Sequence, residues 1–408
     1  MKLGRIDFRW SYPDHPEALL LEIDSRKSQH MWQVCDGLKV GGYNLRRREI
    51  YLRPRFMFHL TRFLLKGSRI SAMLCARLRA QNIGVVVASE NHDVGVESKG
   101  LLASCRGKSG EQTRLFAEVT SLIPSLRFIS VQHGQELRRF PAGRATSNVT
   151  LLCWGDWAVR NFPLFGRNER KFLSVGSLID GLYQSVRPTT IEKDVEISFI
   201  STVKGTQWWG SEIGERRQGY EILAEHLARY TSENSLPIHV ALTIDRDQFG
   251  PSDAELERSW FVNRFGPSVR FTNPSVMSGV PGVALSGRTE PSYVRERYAT
   301  YYLCDRSNLT IGMTSSVLWE SFGRGNKVLA VNFTDNPIYD FPISGIWSMR
   351  QPSYEQFAAR MRQLLAMPQH DWLELTREAR FDLVAYREDA PPHVLINQHL
   401  RKVLNELR

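Results

Sequence analysis

The amino-acid sequence predicts an α/β protein made of two doubly wound, Rossmann-like lobes facing a central cleft. Three observations carry that expectation. At 408 residues the chain is too long for one ordinary core and suits two domains of about 150–200 residues each. Short continuous apolar runs alternate with helical spacings along both halves, as in parallel sheets covered on both faces. A polar stretch from Tyr183 to Asp194, containing Pro188, Thr189 and Thr190, parts the two halves.

In the first half the strands expected are Ile83 to Ser89, Leu126 to Val131, Asn148 to Trp154 and Lys171 to Val175, with a helical stretch around Gln112 to Ile123. Such a βαβ succession gives a doubly wound lobe. The second half opens on the strand Val195 to Ile200. It continues through helix (Tyr220 to Tyr230), strand (Ile238 to Ile244), helix (Tyr293 to Cys304), strand (Leu309 to Gly312), helix (Ser316 to Gly323) and strand (Lys327 to Val331). The expected domains are therefore 1–185, 195–385, and a C-terminal segment 386–408 whose helix has Val394, Ile396, Leu400, Val403 and Leu404 on one face.

Composition narrows the class. A hydrophobic share of 42% with 24% charged residues is that of a water-soluble globular chain, and there is no internal repeat or low-complexity tract. Charge interrupts the start, Met1-Lys2-Leu3-Gly4-Arg5, before a signal-peptide core could form. No apolar run approaches the ~20 residues that span a bilayer, so a cytoplasmic protein is expected. Five scattered cysteines, Cys35, Cys75, Cys105, Cys153 and Cys304, lack the paired spacing of a zinc site and read as free thiols.

The net charge of +10 suits an anionic partner. It is concentrated between Arg46 and Arg79, where ten Lys or Arg residues meet one acid, Glu49. From Phe56 the apolar residues there follow helical spacing. An amphipathic basic helix pair resting on an anionic membrane surface is one reading, and an Arg-rich solvated face is the other. A nucleic-acid-binding protein would also be basic, but no helix-turn-helix or aromatic-basic stacking pattern is present and no nucleic-acid partner is expected.

The most informative stretch is Ser307 to Val328. A strand ends at Gly312, Thr314, Ser315 and Ser316 stand at the next helix's N-terminus, and that helix stops at Gly323 and Gly325. Unpaired backbone N–H groups and the helix dipole make such a start a ready anion site. Glu320, on the same helix, could accept from ribose hydroxyls. By itself the same pattern is also an ordinary Ser/Thr N-cap with a glycine C-cap.

Two apparent motifs are discounted. Gly107-Lys108-Ser109 lacks the earlier glycine of a P-loop, Leu102 standing in its place. Asp245-Arg246-Asp247 imitates a metal-binding pair of another fold, and no metal or other cofactor is expected.

The run from Tyr302 to Asn332 resembles a block shared by GT-B glycosyltransferases of bacterial surface-polysaccharide and capsule biosynthesis. In that block a helix and an Asp precede a strand, a hydroxyl-rich turn, a Glu-bearing helix and a Gly-Lys strand. Earlier blocks resemble the same families in order: Gln132-His133-Gly134, Trp154-Gly155, and Val175-Gly176-Ser177 through Asp180. The resemblance spans roughly residues 83 to 400. It extends to capsule Kdo-transferases and to CDP-glycerol glycerophosphotransferase-like enzymes.

The resemblance implies a metal-independent transferase moving a sugar from a nucleotide-activated donor to a glycan or lipid-linked glycan acceptor. A CMP-linked 3-deoxy-keto sugar is one such donor, and the cytoplasmic face of the inner membrane the expected place. His133 and Glu136, following one strand, with Glu90 and Asp93, following another, would supply catalytic carboxylates and an imidazole. Ser201, Thr202 and Lys204, with Gly312, Thr314, Ser315, Ser316 and Glu320, would hold the donor's nucleotide and phosphate. Gly134, Gly155, Gly176, Gly323 and Gly325 would shape the turns. The last helix would pack back on the first lobe. A CDP-polyol phosphotransferase of teichoic-acid type is the alternative within enzymes.

Overall fold

The structure is a computed structural model, described here for residues 6–9, 16–22, 31–32, 34–44, 48–66, 68–89, 118–132, 134, 146–165, 169–202, 214–243, 251–273, 298–387 and 390–408. It divides into two compact units. The first comprises Met1–Leu182, Val280–Ala284 and Arg387–Arg408, and the second Tyr183–Gly279 and Leu285–Tyr386.

The first unit holds β1 (Ile6–Arg9), β2 (Ala18–Glu22), β3 (Val40–Asn44), β4 (Arg48–Tyr51), α1 (Pro54–Leu64), α2 (Arg69–Ala80), β5 (Val85–Ser89), β6 (Arg127–Val131), β7 (Thr146–Cys153), α3 (Asp156–Asn161) and β8 (Glu169–Ser174). The helix α4 (Leu178–Val186) leads out of it. Its main sheet is parallel, in the order β3-β2-β5-β6-β7-β8, and β1 and β4 pair separately. The two expected strands at Ile83 and Leu126 are direct neighbours, with Ser89 opposite Val131. Strands β2 and β5 are buried along their described lengths, which explains their unbroken apolar sequences.

Not all of the basic segment is surface. Arg77 is 2% exposed, its guanidinium 5.5 Å from the ring centre of Tyr43 and 5.4 Å from that of Tyr51. Its stem and planar head serve the core as an aromatic neighbour would.

The second unit runs β9 (Val195–Ile200), α5 (Gly214–Glu233), β10 (Ile238–Ala241), α6 (Pro251–Phe265), β11 (Arg270–Thr272), α7 (Ala299–Arg306), β12 (Ser307–Gly312), α8 (Ser316–Gly323), β13 (Val328–Asn332), β14 (Ser348–Arg350), α9 (Tyr354–Ala366) and α10 (Gln369–Leu383). The sheet order is β11-β10-β9-β12-β13-β14, all parallel. The chain thus lays strands outward from β9 in one direction and then, starting at β12, in the other.

Two expected spans are corrected. The second strand of this unit, β10, stops at Ala241 rather than Ile244, because only Ile238 to Ala241 find partners on β9. Strand β12 begins two residues early, at Ser307, which pairs with Val195. The last helix, α11 (Pro392–Leu407), buries Ile396, Leu400 and Leu404 in the first unit, and Asn397 donates to the Val34 carbonyl at 2.7 Å.

Candidate functional site

The reversal of strand order in the second unit falls between β9 and β12. In open parallel sheets such a switch point leaves a crevice at the carboxyl ends of the two strands, because the connections on either side depart in opposite directions. Residues just past these ends are therefore the first place to look for a ligand site.

Past β12 the chain enters α8 through Met313, Thr314 and Ser315. Ser315 is the N-cap, extended at φ −150° and ψ 136°, and its Oγ accepts from the Val317 N–H at 3.3 Å. This hydroxyl acceptor is therefore already engaged in capping, as in an ordinary helix start. Gly312 is required for packing: a Cβ there would come within 2.9 Å of Leu318 Cδ1. The helix ends in a Schellman arrangement, Gly325 N–H to the Phe322 carbonyl at 2.9 Å and Asn326 N–H to the Ser321 carbonyl at 3.1 Å. Gly325 takes φ +92°, where a side chain would be strained. Gly323 admits Val384, whose Cβ would lie 2.8 Å from an added Cβ.

Thr314 is different. It is 7% exposed, and its Oγ1 meets no hydrogen-bond partner among the described residues. On the neighbouring strand end Thr202 is 5% exposed and its Oγ1 is equally without a partner. Phe199 and Ile311 are the last pair in register between the two strands, and each of these threonines lies three residues beyond. An unsatisfied buried hydroxyl costs on the order of 1–3 kcal/mol. Both threonines stand at the switch point.

The hydroxyl next to Thr202 has a partner. Ser201 donates to Glu257, a carboxylate with no exposure, which also accepts from the Thr243 N–H at 2.9 Å. Ser201 is thereby a strut between β9 and α6. Glu320, expected to face a ribose, is 1% exposed and accepts from Tyr301 Oη at 2.6 Å. In this position it ties α8 to α7. Ser316 is half-buried in the first turn of α8. Lys204 lies outside the described residues, as do Glu90, Asp93, His133, Glu136 and the Asp245/Asp247 pair.

Two charged residues of the resembled block are structural. Asp305, 4% exposed, accepts from Tyr183 Oη at 2.8 Å, Arg187 at 3.0 Å and Arg324 at 2.9 Å, and also from Asn326. Burial raises its proton affinity, but Arg324 and then Arg187 outweigh that and hold its carboxyl below the usual range. Lys327 donates to the Leu364 carbonyl at 3.1 Å and to that of Met367, closing the C-terminus of α9.

In the first unit the turn after β6 is organised by a residue that sequence reasoning left without a role. Gln132, 1% exposed, accepts from the Trp154 N–H at 2.8 Å, and its own amide donates to the Gly134 carbonyl at 2.9 Å. Gly155 caps the start of α3 in extended conformation, and Gly176 takes φ +90° in the turn after β8. Among the described residues no cluster of three metal-binding side chains occurs, and no helix is long and apolar enough to cross a membrane.

No protein-family model and no curated protein matches the chain. Solved structures do. A glycosyltransferase from Rickettsia africae ESF-5 aligns over 97% of this chain and 99% of its own, with 11% identity and a TM-score of 0.51. A putative UDP-N-acetylglucosamine 2-epimerase from Listeria monocytogenes covers 94% of both chains at 11% identity and 0.47. A variant of the wall teichoic acid polymerase TagF covers 97% of this chain and 90% of its own, at 11% and 0.47. At such identities likeness speaks to fold, and the fold is of the GT-B type: two Rossmann-like units, each built on a parallel six-stranded sheet.

Proposed function

We propose that this chain is a nucleotide-sugar-dependent glycosyltransferase, with the donor's phosphate received past β9 and β12. The observation that carries the reading is the pair of buried, partnerless hydroxyls of Thr202 and Thr314 at the switch point of the second sheet. A phosphate or nucleotide oxygen accepts from such hydroxyls, while the helix dipole at the start of α8 favours its negative charge. Ser315 and Ser316 orient that turn. Gly312 lets Leu318 pack beneath it, and Glu320 acts by fixing Tyr301 and the helix. Ser201 places the β9 end through Glu257, and Lys204 would add a cation for the leaving phosphate.

On the acceptor side, Glu90 and Asp93 follow β5, and His133 and Glu136 follow β6. A base among them would take the proton of the acceptor hydroxyl as it attacks the donor's anomeric carbon, and the nucleotide would leave with the bonding electron pair. We assign the acceptor to the growing surface-polysaccharide chains that the sequence resemblance implies, and keep CMP-linked 3-deoxy-keto sugars among the donors. A calorimetric and thermal-shift screen of the intact protein with CMP, CDP, UDP, GDP and ADP tests the donor assignment. One nucleotide should bind saturably and raise the melting temperature. Absence of binding by all five would overturn it.

A further inference from the structure

We infer that α1 is a docking element for an anionic phospholipid surface, with Phe58 and Leu65 entering the headgroup layer. The inference stands on the surface of the first unit and does not need the transferase reading.

Helix α1 has two apolar lines on opposite sides. Phe56, Leu60 and Phe63 face the core and are buried. Phe58 and Leu65, seven residues apart and so two turns along one line, lie about 200° around the helix from Phe56 at 100° per residue. Phe58 is 65% exposed and Leu65 85%. Met57 and Leu64, also exposed, flank that line on one side. A water-facing helix in a soluble protein normally places polar residues there.

On α1 and at its two ends the charges have one sign. Arg55 and Arg62, again seven apart, flank it on the other side, and Arg53 and Lys66 stand at the two ends, all exposed. From Ile50 to Ser89 the sequence contains seven basic residues and no acidic one. The clustering acts on His59, whose proton affinity is lowered by burial and then by Arg55, Arg62 and Arg79. Glu118 approaches from outside this segment, but both its oxygens are taken by Ser68 at the start of α2. Arg55 also holds Asn82 at 2.6 Å.

Exposed aromatic and aliphatic tips within a basic rim complement a bilayer surface. The apolar tips leave water for the acyl boundary while the guanidinium and ammonium groups meet lipid phosphates. A purely electrostatic partner such as an oligonucleotide would give Leu65 and Leu64 nothing to bury against, and a second copy of this basic face would repel itself.

The test is co-sedimentation of the full chain with vesicles of phosphatidylcholine alone and with about a third phosphatidylglycerol. The expected result is salt-sensitive binding to the anionic vesicles only. The double variant Phe58→Ser/Leu65→Ser should lose about tenfold or more in binding. The triple variant Arg55→Gln/Arg62→Gln/Lys66→Gln should lose about two orders of magnitude. These side chains are exposed, so circular dichroism and melting should match the parent. The inference is overturned if the parent ignores anionic vesicles or if the variants bind them as well as the parent does. It is also overturned if size-exclusion chromatography shows that the same ridge pairs two copies, or if an oligonucleotide shift is abolished by Phe58→Ser/Leu65→Ser.

Discussion

Gln132 and Trp154 are joined by two hydrogen bonds: the Trp154 backbone N–H donates to the Gln132 side chain at 2.8 Å, and the Trp154 indole N–H donates to the Gln132 carbonyl at 3.1 Å. Both residues are 1% exposed. The link fixes the end of β7 to the turn that follows β6, and through the Gly134 carbonyl it fixes the shape of that turn. Replacing Gln132 by Leu leaves the buried Trp154 N–H and the half-buried Gly134 carbonyl without their partner. We expect destabilisation by about 2–4 kcal/mol with an altered near-ultraviolet tryptophan signal, measured by urea unfolding and circular dichroism. A change within about 0.5 kcal/mol would remove Gln132 from this role.

Thr314→Val separates stability from binding. Valine has nearly the same shape without the partnerless hydroxyl, so the unliganded protein should melt at the same temperature or higher, gaining up to about 1 kcal/mol. Nucleotide affinity should fall by about tenfold, the loss of one or two hydrogen bonds to a charged group. Thr202→Val should behave alike. Unchanged affinity in both variants would place the phosphate elsewhere.

Asp305 gathers Tyr183, Arg187, Arg324 and Asn326. Its carboxyl is held below its unfolded value despite burial. A carboxylate with a depressed folded pKa contributes stability that is fully present above the unfolded value of about 3.9 and is lost as pH falls through the folded value. Asp305→Ala should cost about 3–5 kcal/mol at neutral pH, since two arginines lose their buried counter-ion. In acid unfolding, the difference between parent and variant should shrink below about pH 4. A difference that does not vary with pH would show the loss to be one of packing.

Lys193 donates to the Ser307 carbonyl at 2.8 Å and to Asn326 at 2.9 Å, and burial lowers its pKa from 10.5 to about 8. Between these two values the unfolded chain binds more protons than the folded one, so this lysine adds stability as pH rises from about 8 to 10.5. Relative to Lys193→Met, the parent should gain stability across that interval. The rate of amine modification at Lys193 should rise with a midpoint near about 8. A midpoint above 10 would refute the burial argument.

Much of each sheet was legible in the sequence because its strands are continuous apolar runs. Val195 to Ile200 was placed to the residue, as was the helix Ser316 to Gly323 with its Ser/Thr start and glycine stop. The elements that the sequence does not reveal are short or lack a periodic signal. Strand β2, Ala18–Glu22, sits between β3 and β5, yet five apolar-rich residues carry no periodicity that tells strand from buried helix. Strands β11 and β14 have three residues each and exist only through the neighbours they pair with. Helix α6 is hard to read from the sequence because its apolar residues are spread around it, some buried and others, such as Leu256, exposed.

The sequence by itself determined that a hydroxyl-rich turn joins a buried strand to a glycine-ended helix. Strand runs, capping residues and a Schellman glycine are local requirements, and local sequence states them. Only the tertiary structure decided which groups are already engaged: Ser315 caps α8, Ser201 holds Glu257, Glu320 holds Tyr301, and Thr202 and Thr314 find no partner among the described residues. The reason is that hydrogen-bond satisfaction depends on residues brought together from distant parts of the chain. The order of strands, which sets β9 beside β12 and puts both threonines at one switch point, is likewise a property of the folded sheet.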